Sequence, residues 1–135
     1  MKRKDFKLAL VASILMAVTI ACGFSFSTAN FDSTKMALDP EGEQPTTVFS
    51  PQDTFYAVVD LENAPDDTAV RAEWVAVDVE GEESDFMIES TETTTGSNQF
   101  HFYLENDSPW PAGDYQVNLY INDELQETLE FQVQK

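Results

Sequence analysis

From Val48 onward, apolar and polar residues alternate along the chain with a period of two. In segment 55–61, Phe55, Ala57, Val59 and Leu61 share one face, and Asp60 lies on the other. Successive side chains of a β-strand point to opposite faces, so this pattern predicts a strand with one buried face. The alternation recurs at 70–77, 86–90, 100–104, 115–121 and 129–133. No helical period occurs beyond residue 47, which indicates an all-β domain.

Turn-forming residues separate these predicted strands at short intervals. They occupy segments 63–67, 80–85, 106–113 and the pair Asn122-Asp123. Short strands bounded by such turns are typical of a two-sheet antiparallel sandwich. A short edge strand near 46–49 brings the predicted number to about seven.

Two aromatic residues carry a family resemblance. Trp74 and the segment 112–117, Ala-Gly-Asp-Tyr-Gln-Val, resemble the strand-C tryptophan and the strand-F tyrosine of immunoglobulin-like and fibronectin-III-like domains. The resemblance spans about residues 50–133. It implies that Trp74 fills the core and that the Tyr115 hydroxyl closes the corner before its strand. The side chains predicted for this core are Trp74, Phe100, Phe102, Tyr115, Val117, Leu119 and Phe131.

The first 21 residues have a different pattern. A basic segment, residues 2–7, precedes an uncharged apolar run at 8–20. This layout predicts a secretory signal peptide, helical if it is retained, because the run is too short to cross about 30 Å of hydrocarbon. The chain that follows is therefore expected to be exported.

The end of the leader contains the only cysteine of the chain. Thr19-Ile20-Ala21-Cys22 resembles the lipobox of bacterial lipoproteins, although Thr19 stands where leucine is usual. The resemblance implies cleavage before Cys22, acylation of its thiol and a stable membrane anchor. Two alternatives stay open. In the first, cleavage after the small residues 27–29 releases a soluble protein. In the second, the leader is not cleaved and segment 8–26 serves as the anchor.

Residues 22–47 show no periodicity, and segment 39–45 combines acids with prolines. Such a composition favours a disordered tether. The predicted organisation is a signal peptide at 1–21, a lipid-anchored flexible linker at 22–47 and a sandwich domain at 48–135.

The charge of the chain is strongly negative. The leader holds four of the 7 basic residues and one of the 25 acids, which leaves a net charge of −21 from Cys22 onward. Such a surface repels phosphate backbones, so the sequence excludes nucleic-acid binding. It suits cationic partners, divalent ions or a salty exterior, and a solvated face that keeps the exposed domain soluble is the favoured interpretation.

The chain lacks the residues of common catalytic sites. His101 is the only histidine, so a Ser-His-Asp triad has one candidate base, and a zinc site with several imidazoles is excluded. Its phase is opposite to that of Phe100 and Phe102, which predicts an exposed strand residue. No nucleophile elbow or phosphate-binding glycine loop occurs. We expect no enzymatic activity.

Two further features are candidate binding sites. Carboxylate oxygens suit Ca²⁺, but the spacing of the acids in the 78–85 turn matches no EF-hand, and a solvated acidic turn is the favoured interpretation. These acids are Asp78, Glu80, Glu82, Glu83 and Asp85. Trp110 lies between two prolines, where it serves as a recognition residue or as a cap on the core.

These observations together predict a non-enzymatic binding or scaffolding module of the bacterial cell envelope. It is anchored through Cys22 on the periplasmic or extracellular side and has a protein or polymer partner that the sequence does not identify. A calcium-dependent adhesion module and a small inhibitor of secreted enzymes are the alternatives.

Overall fold

The computed structural model describes residues 28–135, which form eight strands and no helix. The strands are β1 (Asn30–Ala37), β2 (Val48–Phe49), β3 (Phe55–Glu62), β4 (Thr68–Val79), β5 (Phe86–Thr95), β6 (Asn98–Leu104), β7 (Gly113–Ile121) and β8 (Glu124–Val133). This confirms the predicted all-β class. Within this range, no helix long and apolar enough to cross a membrane occurs.

The strands form two sheets of unequal width. The narrow sheet has three strands in the order β1-β3-β6, and the wide sheet has five in the order β2-β8-β7-β4-β5. The strands pair antiparallel, except that β2 runs parallel to β8. The predicted two-sheet sandwich is confirmed, with eight strands in place of about seven.

The prediction of a flexible linker is wrong for residues from Asn30 onward. Strand β1 pairs antiparallel with β3, and its last residues, Met36 and Ala37, are buried. A register shift between Phe31 and Ser33 breaks the period of two, so the sequence shows no alternation there.

The segment after β1 is also held by hydrogen bonds. The backbone N–H of Leu38 donates to the carbonyl of Gln44 at 3.0 Å. The Asp39 carboxylate accepts the N–H groups of Glu43 and Gln44 at 2.8 and 2.7 Å. The prolines and acids of this segment therefore form a turn rather than a tether.

An aromatic cluster around Phe55 closes one end of the core. The ring of Phe55 stacks on Trp110 at 4.7 Å and meets Phe131 and Phe49 edge-on at 4.8 and 4.9 Å. The Tyr115 ring lies 5.7 Å away. Edge-on and offset stacked pairs contribute beyond the apolar area that they bury. These contacts join strands of both sheets.

The residues predicted for the core lie between the sheets. Trp74, Val117 and Leu119 are fully buried. The buried set also includes Phe102, Tyr115 and Phe131. Phe100 is half-buried, because β6 forms the edge of its sheet.

Tyr115 closes the corner before β7. Its hydroxyl donates a hydrogen bond to the carbonyl of Pro111 at 2.6 Å, as the family resemblance implied. Burial, together with the negative charge of Glu82, raises the pKa of Tyr115 to about 12. The neutral phenol is therefore the form that the fold stabilises.

We predict that Trp74→Ala lowers the free energy of unfolding by about 3–5 kcal/mol, because it leaves a large cavity. Trp74→Phe should cost much less, since the indole N–H has no hydrogen-bond acceptor among the described residues and its removal breaks no bond. Urea denaturation measures both changes. Tyr103→Ala, at a side chain that is 53% exposed, is the control and should change stability by less than about 0.5 kcal/mol. Equal losses of unfolding free energy in the two Trp74 variants would contradict the prediction that Trp74 acts by filling volume.

The pKa of Tyr115 predicts a loss of stability at high pH. The folded value of about 12 lies above the unfolded value of 10.0, so the unfolded chain releases its proton first. The contribution of Tyr115 to the free energy of unfolding is therefore fully present below pH 10. It decreases by up to about 2–3 kcal/mol as the pH rises to 12.

Tyr115→Phe tests this dependence. At neutral pH, its free energy of unfolding should be about 1 kcal/mol lower than that of the parent chain, because the corner hydrogen bond is missing. As the pH rises above 10, its free energy of unfolding should fall less than that of the parent chain. Tyr120, whose pKa is also raised by its hydrogen bond to Glu73, titrates in both proteins and cancels in the comparison. Parallel pH profiles for the two proteins would contradict the assignment.

Candidate functional site

One side of the sandwich is open, between β5 and β6. The two strands are consecutive in the chain but belong to different sheets, so Gly96 and Ser97 carry the chain from one sheet to the other. Among the described residues, β6 pairs with β3 alone and β5 with β4 alone. Both strands therefore present free edges to a shared groove of about 520 Å³.

The groove has a polar floor and an apolar wall. On β5, Thr91 and Thr93 are in register with the core residues Ala72 and Val70, which shows that they lie on the inner face of the wide sheet. The floor consists of Glu89, Thr91, Thr93 and Thr95. The wall is formed by β6 residues with inward-facing rings or aliphatic chains, namely Phe100, Phe102 and Leu104.

The groove continues past the start of β5. Glu89, Leu104 and Glu105 also line an adjoining space of about 430 Å³ that reaches the Pro109–Trp110–Pro111 turn. Phe86, whose side chain is 46% exposed, lies on its rim. The two spaces follow β5, whose 10 residues extend over about 33 Å. Such a length accommodates an extended chain rather than a small molecule.

The groove has a negative potential. The charged side chains that line its two parts are Glu82, Glu89 and Glu105. The lysines and the arginine of the described range lie elsewhere. Arg71 forms an ion pair with Glu73 at 2.7 Å, Lys135 forms one with Glu80 at 2.9 Å, and Lys35 is on β1 at the opposite edge of the narrow sheet. Carboxylates therefore meet no cation in the groove.

An aromatic row lies on the outer face of the narrow sheet next to the groove. His101 packs edge-on against Tyr56, with ring centroids 5.6 Å apart, and Tyr103 lies 6.3 Å from Tyr56. His101 is exposed on its strand, as its phase in the sequence predicted. These rings offer flat surface to cations or to apolar groups.

Of the acids predicted for the 78–85 turn, Asp78 lies in β4, and the other four lie between β4 and β5. All five are exposed. Among the described residues, three carboxylates with oxygen atoms within 4.8 Å of one another occur at Asp32, Asp60 and Glu62, outside this turn. The calcium site at the turn stays a prediction.

Trp110 belongs to the core. Only 7% of its surface is exposed, and its indole N–H donates to the Asp53 carbonyl at 3.0 Å. Its backbone N–H also donates to the carbonyl of Pro51 at 2.8 Å. These contacts leave little of the ring for a ligand. Cys22, the predicted lipidation site, lies outside the described residues.

The sequence did not predict the groove. Its location depends on which sheet β5 joins, and strand pairing between distant segments leaves no local signal. One clue was present. Thr91, Thr93 and Thr95 occupy one phase of β5, where a strand buried between two sheets would carry apolar residues.

Comparison with known proteins identifies the fold. No protein-family profile and no curated protein sequence matches the chain. Among solved structures, an immunoglobulin-like protein from Pseudomonas aeruginosa is similar, with a TM-score of 0.57, 15% identity, and coverage of 82% of this chain and 99% of that one. The C-terminal domain of Wzt has a TM-score of 0.53 at 12% identity, covering 82% of this chain and 75% of that one.

A third similar structure is the alkylpurine DNA glycosylase AlkC of Pseudomonas fluorescens, bound to DNA containing an abasic site analog. It has a TM-score of 0.56 at 13% identity, and 81% of this chain aligns with 31% of that one. The chain thus spans about a third of the glycosylase. At these identities the likeness shows the immunoglobulin-like fold and does not transfer activity.

We predict that the acids of the 78–85 turn act as diffuse surface charge. Millimolar CaCl₂ should therefore raise the melting temperature of the parent chain and of an Asp78→Asn/Glu82→Gln variant equally, to within about 1 °C. A Glu124→Gln/Glu127→Gln variant, with the same change of charge on exposed β8 residues, is the matched control. If only the turn variant lost the calcium-dependent rise, the turn would be a calcium site.

Proposed function

We propose that this chain is an exported, non-enzymatic binding module held at a bacterial membrane by lipid on Cys22. The observation that carries the binding role is the groove between β5 and β6. It is long, open and bordered by two free strand edges.

The chemistry of the groove favours binding over catalysis. Enzymes place reactive groups in sites that exclude water and that hold each group by hydrogen bonds. The carboxylates of Glu82, Glu89 and Glu105 are exposed, and so is His101. A surface of this kind recognises a partner by charge and backbone contacts.

The anchor is supported by the leader, and the position of β1 limits its reach. A basic start, an apolar run and a lipobox-like end occur in the order that lipoprotein export requires. Because β1 begins at Asn30, the segment from Cys22 to the domain extends over at most about 30 Å. The proposed anchor therefore keeps the sandwich close to the lipid surface.

The proposed anchor leaves the groove uncovered. Strands β1 and β6 form opposite edges of the narrow sheet. Attachment through β1 therefore does not occupy the free edge of β6. That edge is then accessible to partners in the envelope space.

Palmitate labelling of the full chain in a bacterial host tests the anchor. We predict that the parent chain takes up label and fractionates with membranes, and that Cys22→Ala removes both properties, since the thiol is the acceptor. Ser27→Leu, which blocks the competing small-residue cleavage site, should keep the label.

Two results would contradict the anchor. Label that persists in Cys22→Ala would exclude acylation at this thiol. An unlabelled parent chain whose processing stops in Ser27→Leu would indicate the soluble, secreted alternative.

A further inference from the structure

The free edge of β6 is unusual for this chain because it lacks protection. Natural sheets protect exposed edges with charges, prolines or bulges. Strand β1, at the other edge of the same sheet, contains Asp32, Lys35 and a bulge. Strand β6, with the sequence Asn-Gln-Phe-His-Phe-Tyr-Leu, contains no carboxylate, lysine, arginine or proline, and its pairing with β3 is regular over all seven residues.

The space beside β6 has the layout of a strand position. In an antiparallel pair, alternate residues turn their N–H and C=O groups toward the partner strand, and the others turn them away. Half of the backbone groups of β6 therefore point into the groove. Beneath this position the wide sheet extends as β5, with Thr91 and Thr93 facing the groove. An added strand would rest on this threonine floor.

We propose that β6 accepts an extended peptide segment rich in lysine or arginine, which adds a fourth strand to the narrow sheet. The inference rests on the proposed binding role but not on the lipid anchor. Backbone hydrogen bonds to β6 supply affinity, and alternate side chains supply selectivity.

The surroundings of β6 select a cationic partner. Alternate side chains of the added strand would point toward the floor, close to Glu89. The others would lie on the outer face beside His101 and Tyr103, where an aromatic ring attracts a cation. Glu105 follows the last residue of β6 at the end of the groove. Neither lysine nor arginine is among the residues that line the groove, whereas three glutamates are, so an acidic segment is repelled there.

A second copy of the chain fits this edge poorly. In the wide sheet, β5 extends past the edge formed by β6 in the narrow sheet. If two copies paired antiparallel through β6, their two β5 strands would occupy the same space. Two chains that each carry −21 beyond the leader also repel each other. A lone extended segment meets neither obstacle.

The test uses the chain from Thr28 to Lys135, which contains all eight described strands, and an N-acetylated seven-residue peptide in which lysine alternates with threonine. We expect saturable binding by fluorescence polarisation at low ionic strength, and no binding of the version with glutamate in place of lysine. In ¹H–¹⁵N spectra, every second amide between Asn98 and Leu104 should gain protection from hydrogen exchange when the lysine peptide binds.

Two charge reversals on the same strand separate groove binding from general attraction. Glu89→Lys places a cation on the floor of the groove and should weaken binding by about tenfold. Glu92→Lys changes the net charge equally but lies on the opposite face of β5, in register with Arg71, and should weaken binding by about twofold or less.

Three results would overturn the proposal. The first is no binding of the lysine peptide at millimolar concentration, and the second is binding without protection of the β6 amides. The third is a salt-dependent dimer, seen by sedimentation, whose formation protects the same amides. Each leaves the palmitate result unaffected, so failure of the strand proposal and failure of the anchor are distinguishable.

Discussion

The pairing of β5 with β4 rather than with β6 determines which side of this sandwich is closed and which is open. The connection between β5 and β6 is held where the chain changes sheets. Gly96 lies against the Asp66 side chain of the turn between β3 and β4, and the Ser97 hydroxyl accepts the N–H of Ala64 at 2.9 Å. The pairing of β5 with β4 over its length holds β5 in the wide sheet, and the edge of β6 stays free. The groove is therefore a consequence of topology, and the side chains determine what it can accept.

The open side is tolerated because the core is closed elsewhere. The chain has no disulfide pair, so the sheets are joined by packing alone. Phe55 and Trp110 stack at one end, and the Tyr115 hydroxyl bonds to Pro111 beside them. Trp74 fills the centre. With the sheets secured there, the free edges of β5 and β6 cost only what solvent-exposed backbone costs, since water satisfies their hydrogen bonds.

The strands could be predicted from the sequence because burial of one face imposes a period of two, which segments 55–61 and 115–121 show clearly. The Tyr115 corner could be predicted because its neighbours form a recognisable motif. Strand β1 could not, since the bulge near Phe31 shifts its phase and polar side chains occupy its exposed positions. The groove could not be located from the sequence for a different reason, although the threonines of β5 were a clue. It depends on pairings between distant segments, and the alternation in β5 is the same whichever sheet that strand joins.

The negative charge of the domain and the uncharged edge of β6 both affect self-association of the chain. An unprotected edge strand is a site for self-association, and most proteins cover it or place charges on it. This chain leaves the seven residues of β6 without a carboxylate and carries 24 acids elsewhere beyond its leader. Repulsion between whole domains then opposes pairing of two copies, while the same field attracts a cationic strand. Because this repulsion acts over about 10 Å at moderate salt, it opposes a second domain without blocking a short peptide of opposite charge. The edge of β6 is thus accessible to a cationic partner, whereas its pairing with a second copy of the domain is disfavoured.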